Sequence, residues 1–299
     1  MISDLHSLRD QHYNATVTFV REITSDLRIL RIQSNKGERH FEPGQFAILG
    51  LLGGEECVVE CKPQDSGKLL LRAYSMSHPI LDHSTRKLYT ENEIDFFEFY
   101  VSLMTRKNVP AEEAPVLTPR LFSLREGSRL HLGKISGHYR LKSEELAKKK
   151  HLIFCATGTG EAPHNAMVWK LLSDKYEGRL TAVVSVRKWA DLGYCQTYDG
   201  LTRRFPNLSY VPIATREPDT PKRYIQDLIE NGELEERIGE PLSRERHAFY
   251  LCGNPAMIGI PKTDSSSGQR IFPPGKVGMI ELLEKKGFTS EEIHYEKYW

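Results

Sequence analysis

Leu152-Ile153-Phe154-Cys155-Ala156 is a short apolar run that breaks off into Thr157-Gly158-Thr159-Gly160-Glu161-Ala162-Pro163. A buried strand, a glycine turn and a helical pattern from Pro163 to about Lys175 follow one another there. No other stretch restricts the fold as much, because that order builds an anion site. Gly158 and Gly160 let the backbone approach a ligand closely, and the new helix points free N–H groups at a phosphate. The third glycine of the dinucleotide fingerprint is missing, since Pro163 and His164 stand where it would fall. A tight strand–helix connection with no ligand has the same local pattern, so the flanking sequence decides.

Downstream of Lys148-Lys149-Lys150, strands and helices alternate. Strands are expected at 151–156, 180–186, 208–214, 247–252 and 293–297, and helices at 163–175, 224–235, 255–260 and 277–286. Alternation of this kind predicts a Rossmann-like α/β domain with a parallel sheet covered on both faces. Thr263 to Gly275, rich in serine, proline and glycine, reads as a loop within it.

Upstream the pattern is different. Ala15 to Val20, Leu27 to Ile32, Phe46 to Leu49, Lys68 to Tyr74, Phe96 to Met104 and Arg129 to Leu132 read as strands of an antiparallel barrel or sandwich. Gly53 to Gly67 and Lys107 to Pro115 read as exposed loops. Leu117-Thr118-Pro119-Arg120-Leu121 opens a short helix, with Thr118 expected as N-cap and Pro119 at the first helical position. The expected division is residues 1–147 and 148–299, each long enough for its own core.

A formal net charge of +1 over 299 residues gives no global field for nucleic acid or membrane. No apolar run approaches the roughly 20 residues of a spanning helix. The polar N-terminus reads as no signal peptide, so the cytoplasm is the expected location. Cys57, Cys61, Cys155, Cys195 and Cys252 are an odd, scattered set that suggests neither a disulfide framework nor a metal site. If single electrons move here, no iron–sulfur relay within the chain carries them.

Arg72-Ala73-Tyr74-Ser75 closes a strand of the first domain and offers a cation, a planar aromatic ring and two hydroxyls. Those groups suit a pyrophosphate, an isoalloxazine face and a flavin ring nitrogen, although a barrel rim without a ligand also carries them. Four motifs in order then make the chain resemble the two-domain ferredoxin–NADP reductases. They are Arg72–Ser75, Gly158–Pro163, Cys252-Gly253 after a strand, and the tail His294-Tyr295-Glu296-Lys297-Tyr298-Trp299. A fifth, Thr215-Arg216-Glu217 followed by Lys222-Arg223-Tyr224-Ile225-Gln226, is similar to the family's NADP-selecting segment.

The resemblance implies an FAD-dependent enzyme with an N-terminal β-barrel for FAD and a C-terminal α/β domain for NADP. Arg72 and Thr118 would touch the FAD pyrophosphate, with Ala73 between the contacts. Tyr74 would stack on the flavin and Ser75 would bond near its reactive nitrogen. Tyr298 and Trp299 would cover the cofactor from the tail. Thr157, Gly158, Thr159 and Gly160 would cradle the NADP pyrophosphate. Thr215, Arg216, Lys222 and Arg187 would meet the 2′-phosphate, Tyr224 would stack on adenine and Gln226 would assist. Cys252 would sit beside the nicotinamide, with Glu296 near the flavin in proton and electron traffic. Ser75, Cys252, Glu296 and Tyr298 are thus the expected catalytic set.

The implied activity is NADPH-linked reduction of ferredoxin or flavodoxin, with Arg106 and Lys107 as candidate docking cations. A flavin reductase or an oxygenase-component reductase is the alternative enzyme. A nucleotide-binding module without turnover is the alternative outside enzymes, and Ser75, Cys252 and Glu296 argue against it.

Overall fold

Threonines and charged residues alternating with apolar ones give the first part of the chain its half-buried strands. Six of them close into an antiparallel barrel: β1 (Ala15–Thr24), β2 (Leu27–Ser34), β3 (Phe46–Leu52), β4 (Leu69–Ser77), β5 (Phe97–Ser102) and β6 (Arg129–Ser136), in the order β1-β2-β5-β4-β3-β6. The structure, a computed structural model of the 299-residue chain, describes residues 2–82, 84–105, 115–148 and 150–298. Arg106, Lys107 and Trp299, which the sequence singles out, lie outside the described residues. Contacts divide the chain into two compact units, Met1–Pro79 with Tyr89–His138, and Ile80–Leu88 with Tyr139–Trp299. The expected division at 147/148 falls nine residues later and takes no account of the excursion at Ile80–Leu88.

Inside the barrel, Val17, Leu30, Ile32, Leu49, Leu51, Phe97 and Phe99 are fully buried. Each side chain of that size contributes about 1.5–3 kcal/mol by leaving water. The sequence reading has no element before residue 13, yet α1 (Ile2–His12) is present. Its register is set from the far end, where Arg9 donates to both oxygens of Glu55 at 2.8 and 2.6 Å. Tyr13 donates to the same carboxylate at 2.7 Å and accepts from the Leu52 N–H at 2.8 Å. Those partners are distant in sequence, so no local pattern announces the helix.

β4 positions the first set of site residues. It pairs with β3 from Leu69 to Ser75 but with β5 only at Met76 and Ser77. Most of β4 therefore has one edge without a ladder partner among the described residues. The short helix α2 (Thr118–Leu121) has Leu117 as its N-cap, and Thr118 is its first residue, which corrects the expected cap. The Thr118 hydroxyl instead accepts from the Met104 N–H at 3.1 Å.

The 53–67 loop is anchored to this helix. The buried Arg120 donates to Gly53 O at 2.6 Å, and Val58 N–H donates to Pro119 O at 3.1 Å. Cys57 and Cys61 are joined there in a disulfide, against the expectation of no pairing. The anchored loop brings together two thiols whose spacing alone gave no reason to pair them.

In the second unit, the strands β7 (His151–Thr157), β8 (Arg179–Val186), β9 (Leu208–Ala214), β10 (His247–Gly253) and β13 (Ile293–Lys297) form one parallel sheet in the order β13-β10-β7-β8-β9. The central strands are apolar on both faces because helices cover both. Those helices are α3 (Ser143–Lys148), α4 (Glu161–Ser173), α5 (Cys195–Arg204), α6 (Ile225–Glu230), α7 (Glu233–Ile238), α8 (Pro255–Ile258) and α9 (Met279–Lys285). A two-residue hairpin, β11 (Lys262–Thr263) with β12 (Arg270–Ile271), stands where the sequence predicts only loop.

Several helices of this unit differ from the sequence reading, which has none at α3. α5 is not predicted, because Gly200 interrupts it and only Thr197, Tyr198 and Leu201 face inward. A Cβ at Gly200 would stand 3.0 Å from the Leu81 side chain in the Ile80–Leu88 segment. The helix expected at 224–235 is two helices, broken at Asn231 and the left-handed Gly232 (φ +79°). α8 stops at Ile258 because Gly259 turns left-handed (φ +70°). No helix among the described residues is long and apolar enough to cross a membrane.

Candidate functional site

The glycine turn lies at the C-terminal edge of the parallel sheet, where open α/β folds carry their ligands. Gly158–Gly160 form a single 3₁₀ turn and α4 starts directly after it. Gly158 is left-handed (φ +54°) and has nothing within 4 Å of the position a Cβ would take. Gly160 is different, since a Cβ there would stand 2.4 Å from the carbonyl oxygen of Cys252. Gly253 answers from the neighbouring strand: at φ +124°, its Cβ would meet the Thr157 hydroxyl at 2.2 Å. The two strand ends thus close on each other through two glycines. Thr157 Oγ1 completes the clasp by accepting from the Asn254 N–H at 2.7 Å.

β13 brings the tail to the same place. Glu296 pairs with Cys252 across the ladder, and the Tyr298 N–H donates to Gly253 O at 2.7 Å. Burial pushes the Cys252 thiol well above its ordinary range; the Glu296 carboxylate adds to this and Tyr298 opposes it. The thiol is therefore neutral, and Cys252 supplies a small uncharged wall. Thr157, Gly158, Gly160, Cys252, Glu296 and Tyr298 are thus gathered in one place.

Tyr139 joins them and was not foreseen. Its hydroxyl is held protonated first by burial and then by the nearby Cys252 and Glu296. It lies 2.7 Å from Nε2 of His164, which burial lowers to about 3. An alternating Gly-His-Tyr-Arg stretch after a strand carries no signal that could have marked it.

The cation-bearing edge lies after β8 and β9. Thr215 N–H and Oγ1 both donate to Val186 O, and the Arg216 N–H donates to Arg187 O at 2.8 Å. Arg187 also faces Asp191 at 3.7 Å. Arg216 is exposed, whereas Glu217, the discordant acid beside it, accepts from the Trp189 N–H at 2.7 Å. Tyr224 carries Lys222 at 5.4 Å and Lys276 at 4.3 Å from its ring centre. Lys276 also pairs with Asp227. It directly follows the Thr263–Gly275 loop and is not singled out by the sequence. Gln226 is buried, its amide turned to Ala256 O at 3.5 Å, and Arg223 is taken up by Glu233 at 2.8 Å.

In the barrel unit, Arg72 and Ala73 are exposed on the stretch of β4 that is paired with β3 alone among the described residues, Tyr74 is half-buried and Ser75 is buried. Burial raises the Tyr74 phenol, with Arg72 opposing. A cation and an aromatic ring on an open strand fit a planar anionic cofactor.

Glu161, the first residue of α4, is buried and pushed up to about 8 by that burial, with the Tyr210 hydroxyl donating to it at 3.1 Å. Its Oε2 has no hydrogen-bond partner. Tyr210 stacks on Tyr198 at 4.3 Å beneath it. A carboxyl raised from 4.5 to about 8 stays protonated in the fold while the unfolded chain ionises. Its stability contribution is full below 4.5 and is lost as pH rises to about 8. Glu161→Gln is expected to remove that decline, gaining a few kcal/mol over the parent at alkaline pH. Urea midpoints measured from pH 5 to 9 test it; parallel curves for the two proteins would show Glu161 to be ionised.

Barrel and parallel sheet, with a phosphate-type turn closed against a buried Cys-Gly and an aromatic tail, define a two-domain dinucleotide-dependent oxidoreductase. Residues 154–262 match the family model of an oxidoreductase NAD-binding domain. The ferredoxin–NADP reductase of Pseudomonas aeruginosa is 28% identical over 260 residues, spanning 82% of this chain and 86% of that protein. The flavodoxin/ferredoxin–NADP reductase of Rhodobacter capsulatus is 27% identical over 289 residues, spanning 93% and 94%. A solved ferredoxin NADP+ reductase from Neisseria gonorrhoeae with bound FAD and NADP superposes with a TM-score of 0.70, 19% identity and coverage of 96% and 99%. Over most of its length the chain is thus similar to ferredoxin/flavodoxin–NADP reductases.

Proposed function

We propose that this chain is an FAD-dependent reductase that draws on NADPH and reduces ferredoxin or flavodoxin. The observation that carries the reading is the glycine clasp, in which Gly160 and Gly253 lock the phosphate-facing turn against Cys252 and the tail. FAD, when bound, supplies the acceptor for the NADPH hydride and the store from which electrons leave singly.

The protein's own residues bind and orient. Arg72 and Thr118 would hold the FAD pyrophosphate, Tyr74 would present a ring face and Ser75 a hydroxyl. The N–H groups of Gly158, Thr159 and Gly160 would receive the NADP pyrophosphate. Arg216, Lys222 and Arg187 would meet the 2′-phosphate with Thr215, and Tyr224 would flank the adenine. Lys276 joins that group through Tyr224, while the buried Gln226 would act only through the backbone it supports. Cys252, as a neutral thiol, would shape the nicotinamide pocket without attacking it. Glu296 is placed to hold charge or pass a proton beside Cys252 and Tyr139. Tyr298, whose backbone is tied to Gly253, would present its ring from the tail.

The purified chain is expected to be yellow, to hold about one FAD without a covalent bond and to bleach with NADPH. Arg72→Ala is expected to weaken FAD retention by about 1.5–3 kcal/mol, the worth of a hydrogen bond to a charged group. Steady-state reduction of a panel of ferredoxins and flavodoxins tests the acceptor. Turnover with free flavins alone would move the chain to the flavin reductases, and no flavin after reconstitution would remove the enzyme reading.

A further inference from the structure

At the opposite end of the sheet from the glycine turn, β7 and β10 each begin with a histidine. His151 and His247 are direct partners in the parallel ladder, so their side chains leave the same face. Both are fully buried, with ring centres 5.2 Å apart. Glu240 follows the left-handed Gly239 and turns its carboxylate toward the pair. Its Oε1 lies 2.9 Å from His151 Nδ1 and 3.6 Å from His247 Nε2. All three atoms lie within 4.8 Å of one another.

Nε2 of His247 is buried and has no hydrogen-bond partner, since 3.6 Å to a carboxylate oxygen is too long for one. The remaining nitrogens are occupied. His151 Nε2 lies 2.8 Å from the Thr181 hydroxyl, and His247 Nδ1 lies 3.1 Å from Ser243 O. The Ser243 N–H also approaches that Nδ1 at 3.2 Å. Arg246 Nε donates to Glu240 Oε2 at 3.0 Å, and Arg179 donates to Oε1 at 3.0 Å. The second ring nitrogens and Glu240 Oε2 are held from outside, as the outer partners of metal-ligating side chains hold them, while Arg179 shares Oε1 with the site.

We infer that His151, His247 and Glu240 form a binding site for a divalent transition metal, with zinc as the best match. Two imidazoles and one carboxylate suit a borderline ion such as Zn²⁺, and a water would fill the fourth position. Calcium and magnesium prefer an all-oxygen set and would not compete. Ligand atoms about 2.1 Å from a tetrahedral ion stand about 3.4 Å apart, and the separations of 2.9 and 3.6 Å bracket that value. Rotation of the rings brings the widest separation into range. Arg179 and Arg246 order the carboxylate but repel a dication, so the affinity should fall below that of a closed structural zinc site. The position is independent of the nucleotide turn, which lies at the other end of the same strand.

The test uses the flavin-loaded enzyme, free of any affinity tag and stripped with a chelator. It is dialysed against zinc chloride, and bound zinc is counted by elemental analysis. About one Zn²⁺ per chain is expected, falling at least about 10-fold in affinity in His151→Gln, His247→Gln and Glu240→Gln, with calcium giving none. Absence of stoichiometric zinc in the parent would overturn the inference. So would binding that survives both histidine substitutions, because the ion would then sit elsewhere. If the variants do not fold, zinc-edge anomalous diffraction from soaked crystals of the parent decides. A peak between the two rings supports the site, and none overturns it.

Discussion

Arg216→Ala is expected to cut kcat/KM for NADPH roughly 30–150-fold and to leave NADH nearly untouched, the effect of losing a phosphate contact of about 2–3 kcal/mol. The size follows from how the cations at this edge are employed. Arg223 is bound by Glu233, Lys276 pairs with Asp227, and Arg187 faces Asp191. Arg216 is exposed and its backbone is fixed by the bond to Arg187 O, so under the proposed function its guanidinium would meet the 2′-phosphate alongside Lys222. Glu217 does not oppose it, being turned to the Trp189 N–H. Paired kinetics with NADPH and NADH give the answer. Equal losses with both would show that Arg216 supports the fold and does not read the 2′-phosphate.

Gly160→Ala is expected to reduce kcat/KM for NADPH on the order of 100-fold, because a displacement of about 1 Å at the reacting end is that costly. The added Cβ would stand 2.4 Å from Cys252 O and 3.0 Å from Gly253 Cα, both backbone atoms that no rotamer change can relieve. The ends of β7 and β10 would have to part, moving Cys252 and, through Gly253 O, the tail. A loss of about 1–3 kcal/mol of stability should accompany the kinetic defect, as for other overpacked positions. Flavin content should be retained, since the barrel unit is untouched. Unchanged melting temperature and unchanged kinetics would show that the two strand ends do not close on each other.

The parts of the fold visible in the sequence are those with local causes. Apolar runs at 151–156 and 247–252 read as covered strands and are strands, and the glycines after Thr157 form the expected turn. The parts that were not visible have distant causes. α1 depends on Glu55, and the glycine within α5 lies close to the side chain of Leu81. Thr118 has the chemistry of a cap, but its hydroxyl is engaged by Met104 N–H from the end of another strand. The same division holds for the site. Motif residues such as Cys252 and Glu296 are brought together by the pairing of their strands, whereas Tyr139, His164 and Lys276 enter through contacts that no spacing encodes. Gln226 shows the converse, a residue inside a motif whose side chain is buried against Ala256.

The strand order also sets a length. From the end of β9 beside Arg216 to the end of β10 at Gly253 the ladder runs through β8 and β7, three steps of about 4.8 Å each or about 14 Å in all. Under the proposed function a dinucleotide would lie across these strand ends, whereas a mononucleotide would fill one end and leave the other open. The two halves of such a ligand are therefore separable occupants of one shelf. A phosphorylated adenosine at the β9 end and a nicotinamide nucleotide at the β10 end could sit there together. The covalent bond between them contributes mainly as effective concentration. A substitution at one end then alters which ligand is held without altering what is done at the other, so cofactor choice and hydride chemistry can change independently in this sheet.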